Sequence, residues 1–202
     1  LQRKILQNYS RIGQHNVDSA KETINELNPD VNVETHPVRL DASNIEEVIS
    51  KYDLVIDGTD NFPVRYMLND ASVKLGIPVV HGSIFRFEGQ VTVFDPQNGP
   101  TYRDMVPEPP PPELAPSCAE AGVLGVLPGI IGCLQALEAV KMILDLGDTL
   151  IGRLLTFDAT EMSFREFKLR KDPNLEITWE NRDRVQIVEL SDSCRPAPLT
   201  KA

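Results

Sequence analysis

The stretch YDLVIDGTDN, from Tyr52 to Asn61, decides the fold of this 202-residue chain. Its apolar residues predict a strand, and the polar residues DGTDN predict a loop directly after that strand. Asn61 is a typical N-cap residue, so we predict a helix after it, from about Pro63 to Leu75, that ends at Gly76. The stretch therefore predicts a strand, a loop and a helix in succession, as in an α/β protein.

The segments around this stretch continue the alternation of helix and strand. Apolar residues at helical spacing predict a helix over 17–27, residues 31–40 are predicted to form a strand, and a short helix is predicted over 43–50. Two further strands are predicted over 77–83 and 87–95. This alternation predicts an open, largely parallel sheet with helices on both faces.

The second half of the chain contains one long apolar segment and a pair of strands. Residues 125–147 predict a long buried helix, kinked at Pro128, with Cys133 as a small core residue. Residues 153–172 predict a hairpin that extends the sheet with antiparallel strands. We therefore predict one domain over 1–172 and a polar tail or linker over 173–202.

Composition excludes several classes of function. The net charge of −10 argues against nucleic acid or an anionic membrane as the main partner. The three cysteines form no CxxC pair, which is typical of a reducing compartment and predicts a cytoplasmic protein. The apolar stretch from Ala121 to Leu137 is long enough to approach a membrane span. Because it contains Pro128, glycines and Gln135, we predict a core helix instead.

The loop DGTDN is the first candidate binding site. Ligands of open α/β sheets bind at the carboxyl ends of the strands, where this loop is predicted to lie. Asp57 and Asp60 have the oxygen ligands that suit a magnesium-bound phosphate group. Alternatively, Asp57 and Asn61 cap backbone amides and have a purely structural function. The residues alone leave both interpretations open.

Five segments in order resemble the ThiF/MoeB/HesA family, which is related to the ubiquitin-activating enzymes. The resemblance runs from Leu1 to about Pro173 and is closest to the zinc-free form that is often fused to a rhodanese domain. It implies a Rossmann-like fold and a homodimer. The matching segments are LQRKIL (1–6), DGTDNFPVRYMLND (57–70), GSIFRFEGQVTVF (82–94), PEPPPPELAPSCAEAGVLGVLPG (107–129) and FDATEMSFREFKLRKDP (157–173).

The resemblance implies a reaction and its partners. The reaction is ATP-dependent adenylation of the C-terminal glycine of a ubiquitin-like sulfur carrier protein, which prepares it for thiocarboxylate formation in molybdopterin, thiamine or cysteine biosynthesis. A rhodanese or a cysteine desulfurase is the implied sulfur donor. The alternative is a catalytically impaired scaffold that binds a ubiquitin-like protein. A dinucleotide-binding oxidoreductase would require a glycine fingerprint that this sequence does not contain.

The resemblance also assigns a nucleotide site. Arg3 matches the arginine that contacts the ATP phosphates, and Leu1 and Gln2 lie beside it in the same nucleotide-binding segment. Asp60 matches the aspartate associated with magnesium and ATP, and Asn61 is its neighbour in the binding loop. Arg3 and Asp60 are therefore predicted to be catalytic.

Two more residues carry predictions through the resemblance. Cys118 matches the cysteine that, in some relatives, forms a thioester or persulfide with the carrier, so it is the third predicted catalytic residue. A proline-rich surface loop, PPPP at 109–112, precedes it. Arg86 is predicted either to touch the carrier tail or to form a structural ion pair.

The sequence departs from the family pattern in its nucleotide site. The family's glycine-rich ATP loop would precede Leu1, so we expect the chain to be N-terminally incomplete and inactive on its own. Asn16 occupies the position of an ATP-contacting lysine. This exchange removes charge-assisted bonding of about 1–3 kcal/mol. Either Lys21 compensates for this loss or catalysis is impaired, and Asn16 thus motivates the scaffold alternative.

A further departure concerns metal. Many relatives hold zinc with two CxxC pairs, which align here with Thr101 and Asp104 and with the region of Leu175 and Thr178. None of these residues is a cysteine, and such zinc sites need four ligands. Zinc is therefore not expected, and Asp60 is the candidate magnesium ligand.

Overall fold

The computed structural model describes residues 9–110 and 122–190, and the chain divides into two compact units, residues 1–40 and 41–202. The helices are α1 (Asn16–Leu27), α2 (Ile45–Ile49), α3 (Phe62–Leu75), α4 (Tyr102–Met105) and α5 (Leu127–Leu144). The strands are β1 (Val55–Asp57), β2 (Val79–Phe85), β3 (Glu88–Phe94), β4 (Arg153–Asp158) and β5 (Ser163–Lys168). Two 3-10 helices cover Tyr9–Arg11 and Trp179–Arg184.

The first unit contains α1, as predicted, but no strand in its described part. The strand predicted over 31–40 is wrong: these residues pair with no strand in the described chain. Pro37 lacks a backbone N–H, and Val31 and Val38 are exposed instead of packing on a pleated surface. An apolar alternation is therefore not sufficient for a strand when no neighbour accepts its hydrogen bonds.

The second unit is built on a five-stranded mixed sheet with the strand order β1-β2-β3-β4-β5. The α/β class and the antiparallel C-terminal extension are confirmed. The sheet is not largely parallel in the described residues, because only β1 and β2 pair in parallel and the other three ladders are antiparallel. The short turn at Arg86 and Phe87 explains the β2–β3 ladder, since so short a connection joins only antiparallel strands.

Helices cover both faces of this sheet, as predicted. Alternate residues of each strand point to opposite faces. On one face, Val80 and Val91 form the core with Leu127 and Ile131 of α5. On the other face, His81 lies 5.5 Å from the ring of Tyr102 in α4. The helix α3 lies on the same side, where Tyr66 contacts Tyr102 edge to face.

The helix α3 begins and ends where the local sequence predicts. The side chain of Asn61 accepts a hydrogen bond from the amide of Val64 at 3.0 Å, as an N-cap does. Gly76 ends the helix with φ +70°, a left-handed conformation that glycine adopts without strain. A side chain at Gly76 would also collide with the ring of Trp179, since its Cβ would lie 2.6 Å from that ring.

The helix α5 differs from the prediction in two respects. Pro128 lies in its first turn, where no amide is needed, so the proline starts the helix and does not kink it. Only one side of the helix is buried, and Cys133 lies on the exposed side, so the predicted core position of Cys133 is wrong. The exposed apolar residues of α5 are Leu137, Val140, Ile143 and Leu144.

Within the described part of the chain, α5 alone is long and apolar enough to cross a membrane. This criterion considers only the length and composition of the helix, and the core helix of a globular protein also meets it. Its inner side packs on β2 and β3 and carries Gln135 and Glu138, which both form buried hydrogen bonds. These contacts are those of a core helix.

The predicted hairpin β4–β5 is confirmed, and the described part of the predicted tail packs within the second unit. The 3-10 helix Trp179–Arg184 contacts α3, and Val185 behind it is buried. Trp179 thus packs against the end of α3 at Gly76. The boundary at residue 173 between domain and tail stays a prediction.

Candidate functional site

The loop after β1, residues 58–61, is held by hydrogen bonds with Asp57 and with the first turn of α3. The amide of Thr59 donates to the carboxylate of Asp57 at 2.9 Å, and the carbonyl of Thr59 accepts from Arg65 at 2.8 Å. The side chain of Asn61 caps the amide of Val64. The capping interpretation of Asp57 and Asn61 is therefore confirmed, and the loop has a defined shape at the carboxyl end of a parallel strand.

Asp60 is the exposed carboxylate of this loop. The amide nitrogen of Asn61 donates to it at 3.4 Å, which leaves most of its oxygen lone pairs facing solvent. The helix α3 starts two residues later, and its first turn places partial positive charge nearby. Asp60 is thus accessible to a cation, whereas Asp57, which is buried at the end of β1, is not.

Asp57 is buried and pairs with His81 of β2. Their side chains are only 2% and 1% exposed, and Oδ2 of Asp57 lies 2.8 Å from Nδ1 of His81. Burial raises the pKa of Asp57, but the hydrogen bonds from His81 and Thr59 and the attraction of His81 bring it below its usual 3.8. Burial keeps the pKa of His81 below 6.5 even though Asp57 favours its protonation.

These directions define the protonation state of the pair. Asp57 is ionised at neutral pH and His81 is neutral, so Nδ1 carries the proton that it donates to the carboxylate. Both carboxylate oxygens of Asp57 are therefore occupied, one by His81 and one by the amide of Thr59. Asp57 therefore does not fit a magnesium-bound phosphate group, whereas the same interpretation of Asp60 stays a prediction.

Gln135 fixes the same strand end from the opposite face of the sheet. Its side-chain nitrogen donates to the carbonyl of Asp57 at 2.8 Å and to that of Val80 at 3.0 Å. Gly82 makes room for it, because a Cβ at this position would lie 2.4 Å from the amide carbon of Gln135. The sequence signal for this contact is Gln135 itself, a polar residue in an otherwise apolar segment.

A comparison with known proteins identifies the family. A sequence model described as ThiF family matches residues 1–177. This chain belongs to the ThiF family. It is 44% identical over 199 residues to a sulfur carrier protein adenylyltransferase of Thermus thermophilus, and it covers 73% of that protein. It is 45% identical over 195 residues to the SAMP-activating enzyme E1 of Haloferax volcanii, of which it covers 72%.

Further relatives are longer, and solved structures support the fold. The chain is 47% identical over 178 residues to a probable adenylyltransferase/sulfurtransferase MoeZ of Mycobacterium tuberculosis and spans 45% of its length. Among solved structures, E. coli MccB with ATP is similar with a TM-score of 0.73 and 13% identity, and the chain covers 55% of it. At that identity the likeness shows a common fold.

Of the four positions that align with the CxxC pairs of the family resemblance, Thr101 and Asp104 carry hydrogen-bonding side chains here. Oδ2 of Asp104 accepts from the amide and the hydroxyl of Thr101 at 2.6 and 2.8 Å, and Oδ1 accepts from the amide of Asp172 at 2.7 Å. Thr101, Asp104, Leu175 and Thr178 line one cavity of about 270 Å³. Asp104 therefore ties α4 to the segment that follows β5. The expected absence of zinc stays a prediction.

The predicted nucleotide residues of the first unit are described only in part. Asn16 begins α1 and lines a shallow surface depression together with His15 and His36. Lys21 is exposed on the same helix. Leu1, Gln2, Arg3 and Cys118 lie outside the described residues, so their predicted functions stay predictions.

Arg86 lies at the exposed turn between β2 and β3. Its φ of +51° turns the chain, its carbonyl accepts from the amide of Leu124 at 2.9 Å, and its guanidinium lies 5.2 Å from the ring of Phe85. Phe85 and Phe87 on either side are 40% and 52% exposed. The turn thus presents two aromatic rings and one cation to solvent.

Proposed function

We propose that the protein catalyses ATP-dependent adenylation of the C-terminal glycine of a ubiquitin-like sulfur carrier protein. The observation that carries this proposal is Asp60, an exposed carboxylate at the carboxyl end of β1 in a loop that buried side chains hold in place. The relatives named above, which are 44% and 45% identical over 96% of this chain, support the reaction by their names.

The reaction is a nucleophilic displacement at phosphorus. A carboxylate oxygen of the terminal glycine forms a bond to the α-phosphorus of ATP, and the bond from that phosphorus to the bridging oxygen of the β-phosphate breaks. Pyrophosphate leaves with the electron pair, and the glycine becomes a mixed anhydride with AMP. The protein must align two anions and neutralise the charge on the phosphates.

Asp60 is the residue that would hold Mg²⁺ in this complex. Proteins commonly bind this ion through one or two carboxylates while the phosphates of the nucleotide supply further oxygens, and one exposed carboxylate fits that pattern. When bound, the ion supplies positive charge to the phosphates. Asn61 orients Asp60 through its amide nitrogen, and the first turn of α3 favours phosphate oxygens on the same side of the loop.

The remaining predicted residues complete the proposal through the family resemblance. Arg3, with Leu1 and Gln2 beside it, contacts the phosphates, and Asn16 contributes a neutral hydrogen-bonding group. For a thioester, the Cys118 thiolate attacks the glycyl carbonyl of the adenylated carrier and AMP leaves. For the persulfide alternative, a Cys118 persulfide that carries sulfur from the donor attacks the same carbonyl and AMP leaves. The sulfur comes from a rhodanese or a cysteine desulfurase, and the carrier serves molybdopterin, thiamine or cysteine biosynthesis in the cytoplasm.

The turn between β2 and β3 is the proposed contact for the carrier. Phe85 and Phe87 offer exposed apolar surface, and Arg86 between them offers a charge that suits the carboxylate end of the carrier tail. Aromatic and arginine side chains are enriched at protein interfaces, and this turn combines both. The contact would leave the loop with Asp60 free for the nucleotide.

The exposed side of α5 is the proposed subunit contact of a homodimer. It presents Leu137, Val140, Ile143 and Leu144, which are between 46% and 70% exposed. A contiguous apolar surface of this kind on a helix that is half-buried is typical of protein–protein interfaces. A second copy of this chain is the proposed occupant because the family resemblance implies a homodimer.

Asn16 favours the second candidate function, a scaffold that binds a ubiquitin-like protein without activating it. A neutral amide supplies no charge to a polyphosphate, and the loss weakens charge-assisted bonding. The scaffold would retain the carrier contact at Arg86 but would not turn over ATP. The two functions therefore differ in one measurable reaction.

Exchange of labelled pyrophosphate into ATP separates the two functions. We expect the protein expressed from its complete coding sequence to catalyse this exchange only when a ubiquitin-like carrier with an intact C-terminal glycine is present. A carrier that lacks this glycine is the matched control. If one carrier of the same genome binds the protein but none supports pyrophosphate exchange, the scaffold function is favoured.

A further inference from the structure

We propose that His81 is a positioning residue for the nucleotide reaction, because it holds Asp57 and through it the loop that presents Asp60. This inference rests on the proposed function for its effect on the reaction but not for its effect on the loop. The family resemblance assigns no function to His81.

The first step is a short chain of contacts from His81 to the loop. Nδ1 of His81 donates to Oδ2 of Asp57 at 2.8 Å, and Oδ1 of the same carboxylate accepts from the amide of Thr59 at 2.9 Å. Asp60 is the next residue along the chain. The Asp57 carboxylate therefore holds the peptide between Gly58 and Thr59, one peptide before Asp60.

The second step is that His81 is the side chain that donates to Oδ2 of the Asp57 carboxylate. Gln135 binds the main-chain carbonyl of Asp57, and Arg65 binds the carbonyl of Thr59. These two side chains fix the backbone of the strand end and of the loop. Without His81, one oxygen of a buried carboxylate would lose its donor, and the carboxylate would turn toward water.

The third step concerns the surroundings of His81, which keep it neutral and oriented. Asp57 of β1 faces Nδ1, and Arg65 of α3 and Tyr102 of α4 line the same small cavity as the imidazole. The positive charge of Arg65 opposes protonation of His81. The ring also lies 5.3 Å from that of Phe94, so its plane is fixed by packing. The donor at Nδ1 is thus preorganised.

The test compares variants of position 81 that differ in this donor. His81→Leu removes the donor, and His81→Asn retains an N–H at about the same distance from the backbone. Thr92→Val is the matched control, because Thr92 is buried opposite His81 in the ladder and donates to the carbonyl of Arg153, away from the loop. If His81→Leu does not fold, His81→Ser provides the same comparison.

Two measurements are made on each variant in the complete protein. In the first, hydrogen exchange reports the protection of the Thr59 amide without any ligand. We expect faster exchange at Thr59 in His81→Leu or His81→Ser and nearly unchanged exchange in His81→Asn and Thr92→Val. In the second, Mg²⁺ is titrated into pyrophosphate exchange. We expect the Mg²⁺ concentration at half-saturation to rise about tenfold in His81→Leu and to change little in His81→Asn and Thr92→Val.

The outcomes separate this inference from the proposed function. Unchanged protection of Thr59 in His81→Leu and in His81→Ser would overturn the inference. An equal fall in the rate of pyrophosphate exchange in Thr92→Val and His81→Leu would also overturn it. The same holds for a fall in kcat in His81→Leu without any shift in the Mg²⁺ titration. If the wild type shows no exchange of pyrophosphate at all, the proposed function fails, and the protection of Thr59 still decides whether His81 holds the loop.

Discussion

Asp60→Asn is expected to lower carrier-dependent pyrophosphate exchange by about 100-fold or more without unfolding the protein. The substitution keeps the size of the side chain and removes the one exposed charge of the loop. A metal at a phosphate centre contributes several kcal/mol of charge stabilisation, and about 2.7 kcal/mol corresponds to 100-fold in rate. The measurement is the exchange rate at saturating ATP and carrier, together with the melting temperature.

Asp53→Asn is the matched control for Asp60→Asn. Asp53 is also exposed and lies just before β1, at the other end of the strand. Asp53→Asn removes the same charge at the opposite end of β1, so it should leave the exchange rate within about twofold of the wild type, as expected for a screened surface charge. Equal rates in both variants would show that Asp60 has no part in the reaction.

Asp70→Asn is expected to destabilise the protein by about 3–5 kcal/mol, because it breaks a buried ion pair. Asp70 accepts two hydrogen bonds from Arg103 at 2.7 and 2.8 Å, and the two side chains are 2% and 17% exposed. The guanidinium also lies 4.8 Å from the ring of Tyr66. The substitution leaves a largely buried cation, the guanidinium of Arg103, without its carboxylate. Urea unfolding followed by circular dichroism measures the change.

Glu166→Gln provides the comparison for this ion pair. Glu166 also accepts two hydrogen bonds from one arginine, Arg153, but the two side chains are 44% and 36% exposed. Solvent screens such a pair, so its loss should cost less than about 1 kcal/mol. A similar cost for both substitutions would mean that burial is not the reason for the stability of the pair of Asp70 and Arg103.

The parts of the fold that sequence predicted are those with local signals. Asn61 and Gly76 delimit α3 because capping depends on residues within one helical turn. The strand predicted over 31–40 failed because a strand also needs a partner that may be distant in the chain. The side of α5 that is buried could not be predicted, since this helix is apolar all round and its periodicity does not distinguish the two sides.

The candidate site also combines a part with a local sequence signal and a part that depends on contacts between distant residues. The loop pattern around Asp60 is contiguous in sequence, and the resemblance recognised it directly. The side chains that hold the loop are not contiguous: His81 lies 24 residues and Gln135 lies 78 residues after Asp57. The sheet register and the packing of α5 bring them together, and neither is encoded in a local pattern. The local sequence pattern thus identified the exposed carboxylate of Asp60 but not the side chains that hold its loop in place.

Mass spectrometry of the carrier tests most directly whether this protein is an adenylyltransferase. The protein from its complete coding sequence is mixed with ATP, Mg²⁺ and a ubiquitin-like carrier of the same genome, and the reaction is quenched in acid. We predict a carrier species with one AMP on its C-terminal glycine, and its loss with Asp60→Asn. A carrier that binds the protein but never acquires AMP would contradict adenylation and identify the protein as a scaffold.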